Sequence, residues 1–311
     1  MKVQALDEFF AQLNQKLANI SPDLQRLFHG RGRCFDGLEQ ITADWLGQHL
    51  VVSLFKPVDD AFLSQLKLGL NQISQTPLWQ QAQGKSIGLA HRYEHGAPYE
   101  TLCGEHQTQV IGQENGLSYE LRLGVAQNAG LFLDMANGRH WVKAHAQDKR
   151  VLNLFAYTCG FSVAAIAGGA SHVVNVDMAK SALSRGRDNH RHNGHDLRDV
   201  TFMGHDILKS WGKITKAGGY DLIVIDPPSF QKGSFALTKD YQKILRRLPQ
   251  LMNPNAQVLA CVNSPAVNQD FLVQAMAEQA PELTFIERLQ NPAVFSDIDE
   301  QASLKALVFQ S

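Results

Sequence analysis

Cysteine is scarce and scattered: Cys34, Cys103, Cys159 and Cys261 are the only four in 311 residues, and no two form a C-x-x-C pair. That spacing argues against a redox couple, a cysteine-rich zinc site and a disulfide framework. No apolar run approaches the roughly 20 residues that cross a membrane. The opening MKVQALDEFFAQLNQKL lacks the apolar stretch of a secretory leader, so a cytoplasmic protein with no membrane partner is expected. A surplus of one charge is also missing. The 29 Lys and Arg against 30 Asp and Glu leave a net charge of −1, so any nucleic-acid binding must use a local basic patch.

The chain is long enough, and at 44% hydrophobic residues apolar enough, to bury a substantial core, and two domains are expected. In the first, over residues 1–128, Leu6, Phe9, Leu13, Leu17 and Ile20 recur at helical spacing. Strands are expected at Leu50–Phe55 and Ser86–Tyr93, with an amphipathic helix from Asp59 to Gln75 between them. A hairpin is expected around Asn115-Gly116, because a tight type I′ turn needs positive φ at both positions. These signals make a smaller α+β domain, a candidate substrate-recognition unit in which Arg31-Gly32-Arg33 is one candidate contact.

Over 129–311 strands and helices alternate. Strands are expected at 151–157, 172–177, 200–203, 221–226, 257–262, 283–289 and 304–309, with helices between most of them. That pattern implies a seven-stranded, doubly wound, Rossmann-like α/β domain with a mostly parallel sheet. Ligands of such sheets bind beyond the carboxyl ends of the strands.

Glycine is missing where a dinucleotide would need it. The turn after the first strand reads Tyr157-Thr158-Cys159-Gly160-Phe161-Ser162 in place of G-x-G-x-x-G, which disfavours NAD. Three consecutive strands instead end near Asp177, Asp206 and Asp226. A carboxylate at Asp177 is placed to accept from both ribose hydroxyls of an adenosine, and Asp206 from an adenine amino group. Asp226 opens Asp226-Pro227-Pro228-Ser229-Phe230, where two prolines fix φ and leave nearby carbonyls free to accept from a substrate. A nucleoside with a cationic centre and no phosphate fits this set, and S-adenosylmethionine is such a ligand. Capping of the following helices is the structural alternative for Asp134, Asp177 and Asp206.

The segments Gly130–Asp134, Val151–Leu183 and Asp226–Phe230 resemble the bacterial 23S ribosomal RNA large-subunit methyltransferases. These are class I S-adenosylmethionine enzymes with cytosine-C5 and guanine-N7 members. The resemblance runs from about Tyr93 to the C-terminus. It implies that Asp134, Asn153, Phe155, Tyr157, Gly160, Asp177, Met178, Asp206 and Asp226 line the cofactor, and that Asp226, Pro227, Pro228, Phe230 and Asn263 serve the acceptor. The chain departs from the family at Cys159, where a glycine is usual and where a side chain is expected to narrow the turn.

Carbon-5 of a pyrimidine needs a cysteine adduct at carbon-6 before it can attack a methyl group. Here Ser229 and Asn263 occupy the positions where relatives carry that cysteine. Cys261 lies two residues before Asn263, on the same face and about 7 Å deeper along the strand, and a core role is expected for it. Direct transfer to a base of ribosomal RNA is therefore expected, with Phe230 stacking on the base. Arg139, His140, Lys143, Lys149 and Arg150, and Lys232, Lys239, Lys243, Arg246 and Arg247, are candidate phosphate contacts, with solvated helix faces as the alternative reading. His190, His192 and His195 are expected to face water, with no metal. A homodimer is compatible with this scheme. A methyltransferase acting on a protein or small molecule, and a noncatalytic RNA-binding relative, are compatible with the same residues.

Overall fold

The computed structural model describes residues 1–228 and 236–311, so Ser229, Phe230 and Lys232 lie outside the described residues. The chain divides into two compact units, one of Met1–Leu133 with Pro292–Glu300 and one of Asp134–Asn291 with Gln301–Ser311.

The first unit is a five-stranded sheet in the order β1-β2-β3-β4-β5, with β1 Gln25–His29, β2 Ile41–Leu46, β3 His49–Leu54, β4 Ser86–His91 and β5 Tyr99–Gly104. Only β3 and β4 pair in parallel. Their crossover carries α2 (Asp60–Ile73) and the short α3 (Pro77–Gln81), while α1 (Leu6–Ala18) precedes β1. The apolar stripe of α1, Leu6, Phe9, Leu13 and Leu17, packs with Phe62, Leu66 and Leu70 of α2 and with Leu50, Val52 and Leu54 of β3. Asp59 caps α2 by accepting from the Phe62 N–H at 2.7 Å. A separate hairpin joins β6 (Gln109–Glu114) to β7 (Leu117–Arg122). Asn115 and Gly116 have φ of 52° and 78°, the two positive values a type I′ turn requires.

The second unit is a seven-stranded sheet in the order β10-β9-β8-β11-β12-β14-β13. Its strands are β8 Arg150–Leu154, β9 His172–Asp177, β10 Val200–Gly204, β11 Tyr220–Ile225, β12 Met252–Val262, β13 Thr284–Leu289 and β14 Lys305–Gln310. All are parallel except β14, which runs antiparallel between β12 and β13. The helices are α4 (Ala136–His145), α5 (Gly160–Ala167), α6 (Lys180–His192), α7 (Trp211–Lys216), α8 (Leu237–Leu245), α9 (Leu248–Leu251) and α10 (Gln269–Gln279). α8 and α9 are separated at Arg246–Arg247, ahead of Pro249.

Both faces of this sheet are covered, so side chains alternate between two cores. Leu152, Leu154, Ile223, Ile225, Val258 and Ala260 pack with Tyr241, Ile244, Leu272 and Met276 from α8 and α10. Val151, Leu222, Val224, Leu259 and Cys261 point the other way, against Trp141 and Val142 of α4 and Phe161 and Ala165 of α5. No helix among the described residues is long and apolar enough to cross a membrane.

Candidate active site

The two-residue period decides which strand residues reach the carboxyl edge and which turn inward. Asn153, on the α5 face, is buried and donates to Asn175 Oδ1 at 2.9 Å. Asn175 donates in turn to Ser162 Oγ, which lies 2.9 Å from His190 Nε2. His190 is fully buried, and burial followed by the neighbouring His195 holds its pKa down at about 3. This corrects the expectation that His190 faces water. Its partner Ser162 is remote in sequence, while its Nδ1 lies 3.0 Å from His195 Nδ1. Among the described residues no group of three metal-ligating side chains occurs.

Asp177, Asp206 and Asp226 each stand at or just beyond the carboxyl end of a strand. Asp177 closes β9, and its Oδ2 accepts from the Tyr157 N–H at 2.8 Å while Oδ1 accepts from the Ala179 N–H at 2.7 Å. One side chain thereby ties the turn after β8 to the turn after β9. The first of these turns is tightly wound: Phe155, Tyr157 and Cys159 have φ of 57°, 47° and 62°. A left-handed conformation costs a residue other than glycine about 1–2 kcal/mol. Cross-links offset that strain. The Ala156 N–H donates to Val176 O at 3.1 Å, and Asn189 Nδ2 donates to Thr158 O at 2.9 Å. Gly160 begins α5 directly after the turn.

Cys159 does not project into the opening, contrary to the expected narrowing. Its side chain is fully buried with Ala156 and Leu183. It meets α6 at Gly186, where an added Cβ would lie 2.3 Å from the Cys159 sulfur. A glycine on the helix makes room for the cysteine in the turn. Phe155 packs against the α8-side core, and Met178, beside Asp177, is 51% exposed.

Asp206 follows β10, accepts from the Leu208 N–H at 2.9 Å and lies 3.3 Å from Lys209 Nζ. Its capping role is therefore real. Being partly exposed, it retains lone pairs for a further donor.

Asp226 directly follows β11 and precedes buried Pro227 and exposed Pro228. Its carboxyl pKa is pushed up to about 7, first by burial and then by the neighbouring Asp134, with Arg139 opposing. Asp134 accepts from Asn263 Nδ2 at 3.0 Å, joining the approach to α4 with the end of β12. Cys261 is fully buried beneath Asn263. Burial, Asp226 and Asp134, in that order, push its thiol well above the ordinary range, which suppresses the nucleophilic thiolate.

Three residues that support this edge were not singled out from sequence. Tyr241 of α8 is buried, and its hydroxyl donates toward Cys261 O at 3.1 Å and Ile225 O at 3.4 Å, spanning the ends of β11 and β12. Lys305 is fully buried, and its ammonium donates to Ser264 O at 2.8 Å and Gln301 O at 2.7 Å. Gly186 is the third. Single residues inside ordinary amphipathic segments carry no local signal of such roles.

The candidate phosphate contacts divide. Arg139 is 3% exposed, too enclosed for an RNA backbone. Lys149 and Arg150 stand at the start of β8, and four residues of strand rise separate Arg150 from the carboxyl end, roughly 13 Å. They bond instead to Gln257 Oε1 and Ala217 O. Lys243 pairs with Asp240 at 2.8 Å, and Arg246 donates to Gln279 Oε1 at 2.8 Å. Lys239 is exposed.

Strand-end carboxylates on a doubly wound sheet of this order define a methyltransferase-type fold, and comparison with known proteins agrees. A model of S-adenosylmethionine-dependent methyltransferases matches residues 25–310. The chain belongs to this family, and S-adenosylmethionine is its cofactor. It is 34% identical over 252 residues to ribosomal RNA large subunit methyltransferase I of Aeromonas salmonicida, covering 79% of this chain and 63% of that one. The chain thus spans less than two thirds of that relative's length. With the protein of the same name from Tolumonas auensis it shares 30% identity over 295 residues, 89% of this chain and 72% of that one. A solved structure from Streptococcus mutans, assigned as a SAM-dependent methyltransferase, superposes with a TM-score of 0.83 at 25% identity, covering 100% of this chain and 82% of that chain.

The residues present fit the cofactor. Each Asp177 oxygen accepts one backbone N–H and keeps a second lone pair for a ribose hydroxyl, while exposed Met178 offers apolar surface to a flat base.

Proposed function

We propose that the chain transfers a methyl group from S-adenosylmethionine directly to a base of large-subunit ribosomal RNA, in the cytoplasm. The bound cofactor supplies a methyl group on a cationic sulfonium. Asp177 holds the ribose, with the turn Phe155–Gly160 and Met178 beside it, and Asp206 accepts from the adenine. Asp226 and the carbonyl of Pro227 grip the acceptor base, with Asn263 held in place by Asp134. Phe230, outside the described residues, is assigned to stacking on the base. An acceptor nitrogen in line with the sulfonium needs positioning and no covalent step.

The observation that carries the direct route is the inert setting of Cys261: fully buried, beneath Asn263, its thiol pushed up by burial and two aspartates. The partly buried Asp226 carboxyl at the end of β11 supports a role in binding an amino or ring N–H. The names of the Aeromonas and Tolumonas relatives support RNA as the acceptor.

The test uses methyl-labelled cofactor and RNA from cells that lack the protein, followed by digestion and mass spectrometry of nucleosides. An N-methylated nucleoside is the expected product. Label confined to protein or a small metabolite would refute the RNA acceptor, and RNA retention without cofactor binding would identify a noncatalytic relative.

A further inference from the structure

The five-stranded sheet of the first unit brings a cationic site together at one edge. β1 and β2 pair antiparallel, as do β2 and β3, and β3 and β4 pair parallel. β1, β3 and β4 therefore run in one direction and release the chain at the same edge. Arg31 follows β1, Phe55 follows β3 and Arg92 follows β4. The Arg31 guanidinium carbon lies 4.2 Å from the centroid of the Phe55 ring, and that of Arg92 lies 5.3 Å from it. One aromatic ring carries two cations, a contact that orients guanidinium groups without neutralising them.

The surroundings supply too little negative charge. Arg26, on β1, holds Asp44 through two bonds of 2.7 and 3.0 Å, and its Nη1 lies 2.7 Å from His29 Nδ1. His29 is neutral near pH 7, because burial, Arg26 and Arg31 lower its pKa to about 4. Asp297 is engaged by Arg33 at 2.6 Å. Arg92 donates one long bond, 3.3 Å, to Asn128 Oδ1, and its Nε is buried with no partner among the described residues. Arg31 is exposed and has neither an ion pair nor a hydrogen bond from its side chain among the described residues. Burial first, and then the neighbouring arginines, lower the pKa values of both Arg31 and Arg92, with Asp44 opposing at Arg92.

We infer that Arg31 and Arg92, oriented by Phe55, form a binding site for backbone phosphates of RNA. Planar guanidinium groups suit the paired oxygens of a phosphodiester. The site positions the nucleic acid without reading its sequence. The inference deepens the RNA assignment above and rests on it. The neighbouring Arg33, spent on Asp297, takes no part.

The experiment is binding of a labelled oligouridylate to the full chain at several salt concentrations, with cofactor affinity and thermal melting measured on the same samples. For a single strand each phosphate contact contributes about 0.7 to the slope of log K against log salt. Arg31→Gln should flatten the slope by about 0.7, and Arg31→Gln with Arg92→Gln by about 1.4. Each should weaken binding several-fold or more at low salt, with cofactor affinity unchanged. Arg33→Gln should leave the slope at the wild-type value. Because Arg31 is exposed, its single variant reports even if the double variant melts early. An unchanged slope in a natively melting Arg31→Gln chain overturns the site. Polyglutamate displacing the RNA at equal charge concentration, with its own binding lost in the same variants, overturns RNA as the occupant in favour of an acidic polypeptide. The flattened slope in a chain that transfers no methyl group to RNA would uphold the phosphate site and refute the acceptor assignment instead.

Discussion

The turns after β8 and β11 stand at the same edge of one sheet, on two adjacent strands, and are built on opposite terms. The first is over-determined: three left-handed residues are held by Asp177, by Val176 O and by Asn189. The second presents Asp226 at the strand end with its carboxyl pKa raised to about 7, and prolines that cannot donate. A cofactor bound in the same way at every turnover is served by a preformed cradle. An acceptor that must be gripped and released is served by a carboxyl whose charge is disfavoured until a partner arrives. The contrast suggests where mutations will separate binding from transfer.

The largest expected effect is at the acceptor end. Asp226→Ala should lower single-turnover methyl transfer by about 10²–10⁴-fold, while cofactor affinity measured by calorimetry changes only a few-fold. Equal losses in both would erase the distinction between the turns. At the cofactor end, Asp177→Ala removes the acceptor for two backbone N–H groups as well as the ribose partner. It should weaken cofactor binding by about 10-fold or more, at about 1.5–3 kcal/mol for a bond to a charged group, and lower the melting temperature of the free protein.

Strain in the first turn can be probed from behind. Gly186→Ala would press a methyl group onto the Cys159 sulfur and should cost about 1–3 kcal/mol in urea unfolding. Adding Cys159→Gly should recover most of that loss, since it removes the clash and relieves a left-handed cysteine. Additive losses in the double variant would show that the two residues do not communicate.

The pH dependence sharpens the second turn. Because the folded Asp226 holds its proton up to about 7, against an ordinary carboxyl value near 4, the folded state binds more protons than the unfolded state between those limits. Stability should therefore fall as pH rises from about 4 to 7, on the order of 2 kcal/mol after allowance for partial solvent access. Asp226→Asn should lack this component in unfolding curves taken across that range. Transfer that needs the ionised form should rise through about pH 7 and then level off, which a pH profile of kcat/KM would register.

Much of the second unit was legible because a seven-strand α/β sheet writes itself in apolar runs, and each expected strand is present. The carboxylates were legible for a related reason: Asp177 and Asp226 interrupt such runs where strands end. The first unit was harder. β2 carries Asp44 in mid-strand, and its partner Arg26 lies on another strand, so a charge with no local partner interrupts the apolar run of that strand. β5 is short, polar and only partly buried. Asn153, assigned to the cofactor by resemblance alone, donates its amide to Asn175, a pairing across two strands that the local sequence does not announce. The return of Pro292–Glu300 to the first unit depends on contacts remote in sequence and has no local signature.

Direct transfer stands or falls on Cys261, and the most direct measurement is labelled methyl transfer to RNA by Cys261→Ala beside the wild type. Both samples are run on a denaturing gel and then digested for nucleoside analysis. Activity within about three-fold of wild type, no protein–RNA adduct in either sample and an N-methylated nucleoside are the predicted results, as expected of a buried sulfur that only fills space. Loss of transfer in the variant, with an RNA adduct and 5-methylcytidine from the wild type, would contradict the account.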